Sequence, residues 1–213
     1  MQVDVLISKL SDRLKKSLPG SVAHEPMRAT SIGELRPDFT HKLPPKPGAV
    51  LILLYKENGD LRFPLTQRAE YVGTHSGQIS LPGGKAEKGE TAVQTALREA
   101  NEEIGVDPLD VEVLGTLSDF FVMPSNFTVT PVVGFYRGQS RFKPDPLEVA
   151  KILNGSIKEL IKNDAIQVKE ILAAGMFKMN APHFMIDGQV VWGATAMMLN
   201  ELRLILREIH QEK

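Results

Sequence analysis

Leucines recur every fourth residue at the start of the chain. Leu6, Leu10, Leu14 and Leu18 are separated by Lys, Arg and other polar residues, which predicts a helix over residues 1–18, ended by Pro19-Gly20. A helix with one apolar stripe is expected to pack on its own domain or on a partner subunit. Residues 21–48 contain Pro26, Pro37, Pro44, Pro45 and Pro47 and predict an extended, irregular lead-in. Residues 49–55 form the longest apolar run and predict a buried strand, Asn58-Gly59-Asp60 a turn, and residues 63–68 a returning strand, so the pair reads as a hairpin. A glycine-rich loop then closes on Pro82-Gly83-Gly84. Residues 91–104 predict a helix stopped by Gly105, and residues 111–117 and 128–136 predict further strands. Residues 147–153, 157–162 and 168–174 are short segments whose pattern leaves their type open, and a helix over about 195–209 closes the chain. Strands and helices are interspersed without a regular βαβ period. That predicts an α/β (α+β) protein with a mixed sheet and helices on its faces. We divide the chain into a lead-in, residues 1–44, and one main domain, residues 45–213.

Composition changes this picture in three ways. Lys and Arg total 25 against 26 Asp and Glu, a net charge of -1, which removes the basic footprint of a dedicated nucleic-acid binder. Cysteine is absent, which excludes disulfides, thiolate metal sites and a cysteine nucleophile. The longest apolar run is far below the ~18–20 residues that span a bilayer, and the first residues lack the basic and apolar regions of a signal peptide. The expectation is a soluble, cytoplasmic protein with no membrane partner.

The chemistry concentrates in residues 84–106. On a helical wheel with Glu99 at the origin, Glu103 falls at about 40° and Glu102 at about -60°, so three carboxylates share one arc. Val93, Ala96, Leu97, Ala100 and Ile104 cluster on the adjacent face, and Arg98 stands four residues before Glu102, close enough to pair with it. Like charges on one arc repel, and Glu102 and Glu103 sit at the helix end where cations are preferred. A hard divalent cation with oxygen ligands, such as Mg²⁺, relieves both conflicts.

Gly84, Glu90, Arg98-Glu99-Ala100, Glu102-Glu103 and Gly105-Val106 stand at spacings that resemble the Nudix box. Every charged and glycine position of the box is present; Ala100 stands where the pattern usually has a larger aliphatic residue. The resemblance implies a Nudix fold, a mixed sheet between helices with the box as a loop-helix-loop. It also implies Mg²⁺- or Mn²⁺-dependent hydrolysis of a nucleoside diphosphate linked to another moiety. It implies Glu99, Glu103 and Glu102 as metal ligands, with a carbonyl of Gly83 or Gly84 as a further one. Gly84, Glu90, Arg98 and Gly105 are then structural, with Arg98 orienting the glutamates.

The residues before the box resemble the coenzyme A signature of Nudix CoA diphosphatases. Leu65, Thr66, Arg68, Ala69, Gly77 and Pro82-Gly83-Gly84 are in register, while Pro64, Gly73 and Leu81 depart from it. Gly73 replaces an arginine that would suit a phosphate. Pro146-Leu147-Glu148-Val149 resembles the segment that supplies a late glutamate, which makes Glu148 a candidate ligand or base. Arg68, His75, Gly77 and Gln78 are candidate substrate contacts, and the general base is one of Glu102, Glu103 and Glu148. The implied reaction converts CoA or a derivative to 3′,5′-ADP and 4′-phosphopantetheine. A broader hydrolase of ADP-ribose or dinucleotides and a non-catalytic ligand sensor are the rival readings. The chain has no Walker A loop, no G-x-S-x-G elbow and no HExxH. The two amphipathic terminal helices suit either a homodimer or a monomer that packs them internally.

Overall fold

The apolar run at residues 49–55 lies at the centre of a mixed sheet. The computed structural model describes residues 2–33, 39–68 and 78–211. In chain order these hold α1 (Val3–Leu14), α2 (Ser21–His24), β1 (Thr30–Ser31), β2 (Lys46–Glu57), β3 (Asp60–Arg68), β4 (Ile79–Ser80) and β5 (Gly83–Lys85). There follow α3 (Ala92–Ile104), β6 (Val111–Thr116), β7 (Phe120–Val122), β8 (Phe127–Tyr136), β9 (Val149–Ser156) and α4 (Ile157–Leu160). The chain ends with β10 (Ile166–Ala173), β11 (Phe177–Ile186), β12 (Gln189–Trp192) and α5 (Gly193–Gln211).

Among the described residues the larger sheet has eight strands. Its path runs β4-β3-β2-β8-β6, with β5 on β2, β7 on β8 and β9 on β3. β2 and β3 form the expected antiparallel hairpin, whereas β2 and β8 pair in parallel from Lys46↔Phe127 to Tyr55↔Tyr136. Side chains alternate across a strand. Ile52 and Leu54 of β2 therefore join Val129 and Val133 of β8 in a core closed by α1 and α5. Ala49, Leu51 and Leu53 join Val132 and the α3 residues Ala96, Ala100 and Ile104 on the opposite face. Burying a leucine such as Leu51, with no exposed surface, contributes about 1.5–3 kcal/mol. The sheet is thus sandwiched between helices, as expected.

The pattern misjudged several stretches. The first helix stops at Leu14, where the Arg13 guanidinium donates to Ser17 O at 2.9 Å and pairs with Glu208 of α5 at 3.0 Å; Leu18 packs on the core outside the helix. The lead-in is not wholly irregular. Ala23 and Met27 are fully buried, and β1 adds to β11. Of the three open segments, the first becomes β9, the second α4 and the third β10. A second antiparallel sheet, β1-β11-β10 with β12 on β11, went unforeseen. The Asp187-Gly188 turn joins β11 to β12 with φ of 50° and 76°, the left-handed pair that a tight hairpin uses.

One buried acid gathers several groups of the lead-in. Glu201 of α5 is fully buried and accepts hydrogen bonds from Gly20 N–H (2.9 Å), Ser118 Oγ–H (2.6 Å) and Ser118 N–H (3.3 Å), while its Oε2 lies 3.0 Å from His24 Nε2. Burial alone would raise its pKa, but these bonds outweigh it and hold the carboxyl below the usual range. α1 and α5 both turn apolar residues into the core of this chain. No helix of the described residues is long and apolar enough to cross a membrane.

Candidate active site

α3 is stopped and started by local chemistry. Thr91 Oγ1 accepts the Gln94 N–H (3.3 Å) and Gln94 Oε1 accepts the Thr91 N–H (2.8 Å), a complete capping box. At the other end Gly105 takes φ 69° and donates its N–H to Ala100 and Asn101 carbonyls. Ala96, Ala100 and Ile104 are buried against β2, with Val93 and Leu97 at the margin of the same cluster.

That docking aims the acidic residues at the loop containing β5. Arg98 is the hub. Its Nε and Nη2 grip both oxygens of Glu90 (2.7 and 3.1 Å), Nη1 donates to Glu99 Oε1 (2.9 Å) and Glu102 Oε2 (3.0 Å), and Nη2 also donates to Lys85 O (3.1 Å). Glu90 Oε2 further accepts Glu87 N–H and Thr95 Oγ1–H, each at 2.9 Å. The Arg98 bond, reinforced by Glu87, pulls the Glu90 pKa down to about 2. Glu90 and Arg98 thus form the frame and Glu99 and Glu102 its free arms.

The three glutamates do not share one exposed arc. Glu103 is buried, Glu99 half-buried and Glu102 exposed. Burial raises Glu103 to about 7 despite a bond from Gly83 N–H (3.1 Å) and the nearby Arg68 charge; Glu99 and Glu148 push it the same way. Glu99 is raised as well, first by burial and then by the charges of Glu102 and Glu148, with Arg98 opposing. Glu148 is exposed in the connection before β9, so the late glutamate lies within electrostatic reach of two box glutamates.

The donor chemistry suits a hard divalent cation, since every group is a carboxylate oxygen and the charges repel one another. Among the described residues, however, no three acids or histidines converge as a finished cage. Arg98 takes one oxygen each of Glu99 and Glu102, and Gly83 N–H takes one of Glu103. Among the described residues, their second oxygens, Glu99 Oε2, Glu102 Oε1 and Glu103 Oε1, are the ones that could hold an ion.

Gly84 fits this site for a steric reason. A Cβ there would lie 2.5 Å from the Glu99 carboxyl carbon. Gly84→Ala is therefore expected to displace Glu99 and lower kcat by about 10- to 100-fold, as small misplacements do. Steady-state kinetics with a circular dichroism control checks this; unchanged kcat would show that the close approach is dispensable.

Arg68 ends β3 on the same face of the sheet, donating its N–H to Gln78 O at 3.0 Å. Gln78 is exposed beside it. His75 and Gly77, together with Gly73, lie outside the described residues. The sequence pattern left Asp145 unmarked, whose bonds tie the β8–β9 connection to α3; Thr66, in register with the CoA signature, has its hydroxyl 3.2 Å from Ser80 Oγ beside the loop. Asp145-Pro146 carries a turn signature that could have flagged that aspartate.

The NUDIX domain model matches residues 45–169. The chain is 38% identical over 164 residues to Nudix hydrolase 22, chloroplastic, of Arabidopsis thaliana, which covers 73% of this chain and 53% of the relative. It is 35% identical over 145 residues to the uncharacterized Nudix hydrolase NudL of Pectobacterium atrosepticum, 66% of this chain and 72% of the relative. The chain thus spans about half the length of the plant relative. Among solved structures, the Nudix hydrolase RenU of M. smegmatis aligns with a TM-score of 0.50 and 18% identity over 78% of this chain and 90% of that one, a likeness of fold. With a matched domain model over more than half of its length and a complete box folded as a loop-helix-loop, the chain belongs to the Nudix hydrolase family.

Proposed function

We propose that this protein hydrolyses the diphosphate bond of a nucleoside diphosphate derivative, with coenzyme A or an acyl derivative as the substrate. The observation that carries the reading is the Arg98 fork. It holds Glu99, one turn before buried Glu103, and Glu102, next to it in the chain, near Arg68 and Glu148. A diphosphate brings further negative charge to such a site. Mg²⁺ or Mn²⁺, held by Glu99, Glu102 and Glu103, supplies the compensating positive charge and lowers the pKa of water when bound.

The chain's own residues divide the remaining work. We assign Arg68, whose charge acts on Glu103, the pairing with a phosphate oxygen through its planar fork. Glu102 and Glu99 each have an oxygen in the grip of Arg98, and Glu103 has one on Gly83 N–H. Glu148 is exposed, and we assign it the proton of the attacking water. Water oxygen bonds to phosphorus as the bond from phosphorus to the bridging oxygen breaks, and the leaving phosphate departs on that oxygen. For CoA the products are 3′,5′-ADP and 4′-phosphopantetheine.

The register of Leu65, Thr66, Arg68, Gly77 and Pro82-Gly83-Gly84 with the CoA signature supports the substrate. Gly73, in place of the signature arginine, supports the rival reading of a broader hydrolase for ADP-ribose or dinucleotides. The test is turnover with Mg²⁺ or Mn²⁺ on CoA, acetyl-CoA, ADP-ribose, NADH and dinucleoside polyphosphates, with products separated by chromatography. Preference for the CoA esters is expected. Equal rates across the panel would favour the broader hydrolase, and no turnover on any would favour a ligand sensor.

A further inference from the structure

We infer that Asp145 is a positioning residue that sets Glu148 against the box glutamates. The inference rests on the role given to Glu148 above. Asp145 sits at the point where the β8–β9 connection meets the end of α3. Its N–H donates to Glu103 O at 2.9 Å, and two residues earlier the Lys143 N–H donates to Ile104 O at 2.9 Å. The connection is thereby fastened to the backbone of a box glutamate. The same loop rides over the helix cap, since a Cβ on Gly105 would meet Lys143 O at 3.4 Å.

From that anchor Asp145 folds the next four residues. Its Oδ1 accepts the Leu147 N–H at 2.8 Å, and its carbonyl accepts the Glu148 N–H at 3.2 Å and the Val149 N–H at 2.8 Å. Packing does little here. Leu147 is 85% exposed, and the turn first reaches the core at Val149, which is 2% exposed. Glu148 therefore takes its place from hydrogen bonds that radiate from one residue, itself bonded to Glu103. A shift of α3 and a shift of Glu148 are coupled through Asp145.

Removing Oδ1 separates this role from a general effect on folding. Asp145→Ala is expected to lower kcat by about 10-fold through misplacement of Glu148, with little change in KM. Asp145→Asn keeps the carbonyl acceptor and is expected within about twofold of wild type. In a Glu148→Gln background, Asp145→Ala is expected to add less than about twofold, because both changes act through one group. Amide exchange at Leu147 and Glu148 should quicken in the Ala variant and not in the Asn variant, a readout independent of turnover.

Different results overturn the idea at different levels. If Glu148→Gln keeps full kcat, the assignment of Glu148 fails and the inference fails with it, while the diphosphatase reading stands or falls on the substrate panel. If Glu148→Gln is inactive but Asp145→Ala is not, the inference alone fails. An Asn variant as impaired as the Ala variant, or additive losses in the double variant, also overturns it. If no substrate is turned over, unchanged amide exchange in Asp145→Ala is enough to reject it, and quickened exchange confined to the Ala variant supports the tether.

Discussion

Glu99→Gln is expected to reduce kcat by about 100-fold or more, with the fold intact. The amide keeps the size of the side chain and an oxygen for the Arg98 bond that Glu99 Oε1 now accepts at 2.9 Å. It removes the negative charge that would meet a cation on Oε2. Stability should not suffer. Burial already raises the Glu99 pKa, so the folded chain disfavours the ionised form, and a neutral side chain relieves that cost. The sign is specific. A carboxyl with a raised folded pKa opposes stability once pH rises above its unfolded value, so the variant should match or exceed the wild-type Tm at neutral pH in the absence of metal. Kinetics, far-UV dichroism and calorimetric titration with Mn²⁺ check the three parts. Near-wild-type turnover together with an intact spectrum would falsify the role of Glu99 as a ligand.

Glu201→Ala is expected to cost about 3–5 kcal/mol, the penalty for removing one member of a buried, hydrogen-bonded charged group. Its absence leaves Gly20 N–H, both Ser118 donors and His24 without the oxygens they now face. For a chain of this size that corresponds to a fall in Tm of roughly 10 °C. The wild-type advantage also depends on pH. A carboxyl more acidic in the folded than in the unfolded state stabilises fully above its unfolded pKa of about 4.3, and that stability fades as pH falls through the folded value. The Tm gap between wild type and Glu201→Gln should therefore narrow between neutral pH and about pH 3. A gap that is constant over that range would mean that the charge of Glu201 contributes nothing.

These two glutamates also show what a linear sequence displays. Glu99 was legible because α3 is regular, capped by a T-x-x-Q signature and ended by Gly105, so angular positions followed from residue numbers alone. The wheel could not say that Glu103 would be buried, since that depends on β5 packing over the helix and on Gly83 donating to it. Glu201 carried a faint signal, an acid four residues from both Met197 and Ile205 inside an apolar stripe. Its partners, 83 to 181 residues away along the chain, left no trace in the pattern. The second sheet was missed because three polar residues interrupt β10 and its Val168 and Leu172 are exposed, so neither alternation nor an unbroken apolar run marked it. The β2–β3 hairpin was legible for the opposite reason: its turn is local and its strands are buried.

The distance between the lead-in and its fastening bears on how the chain is made. α1 buries Leu6, Ile7, Leu10 and Leu14 in a core that α5 completes, and the Gly20–Glu201 and Arg13–Glu208 bonds span 181 and 195 residues. The parallel pairing of β2 with β8 must likewise wait for β8. During synthesis at about 5–20 residues per second, the apolar stripe of α1 therefore stays uncovered for roughly 10 s or more before α5 emerges. Such an interval favours capture by a holdase chaperone, and pairings this distant in sequence are expected to close slowly.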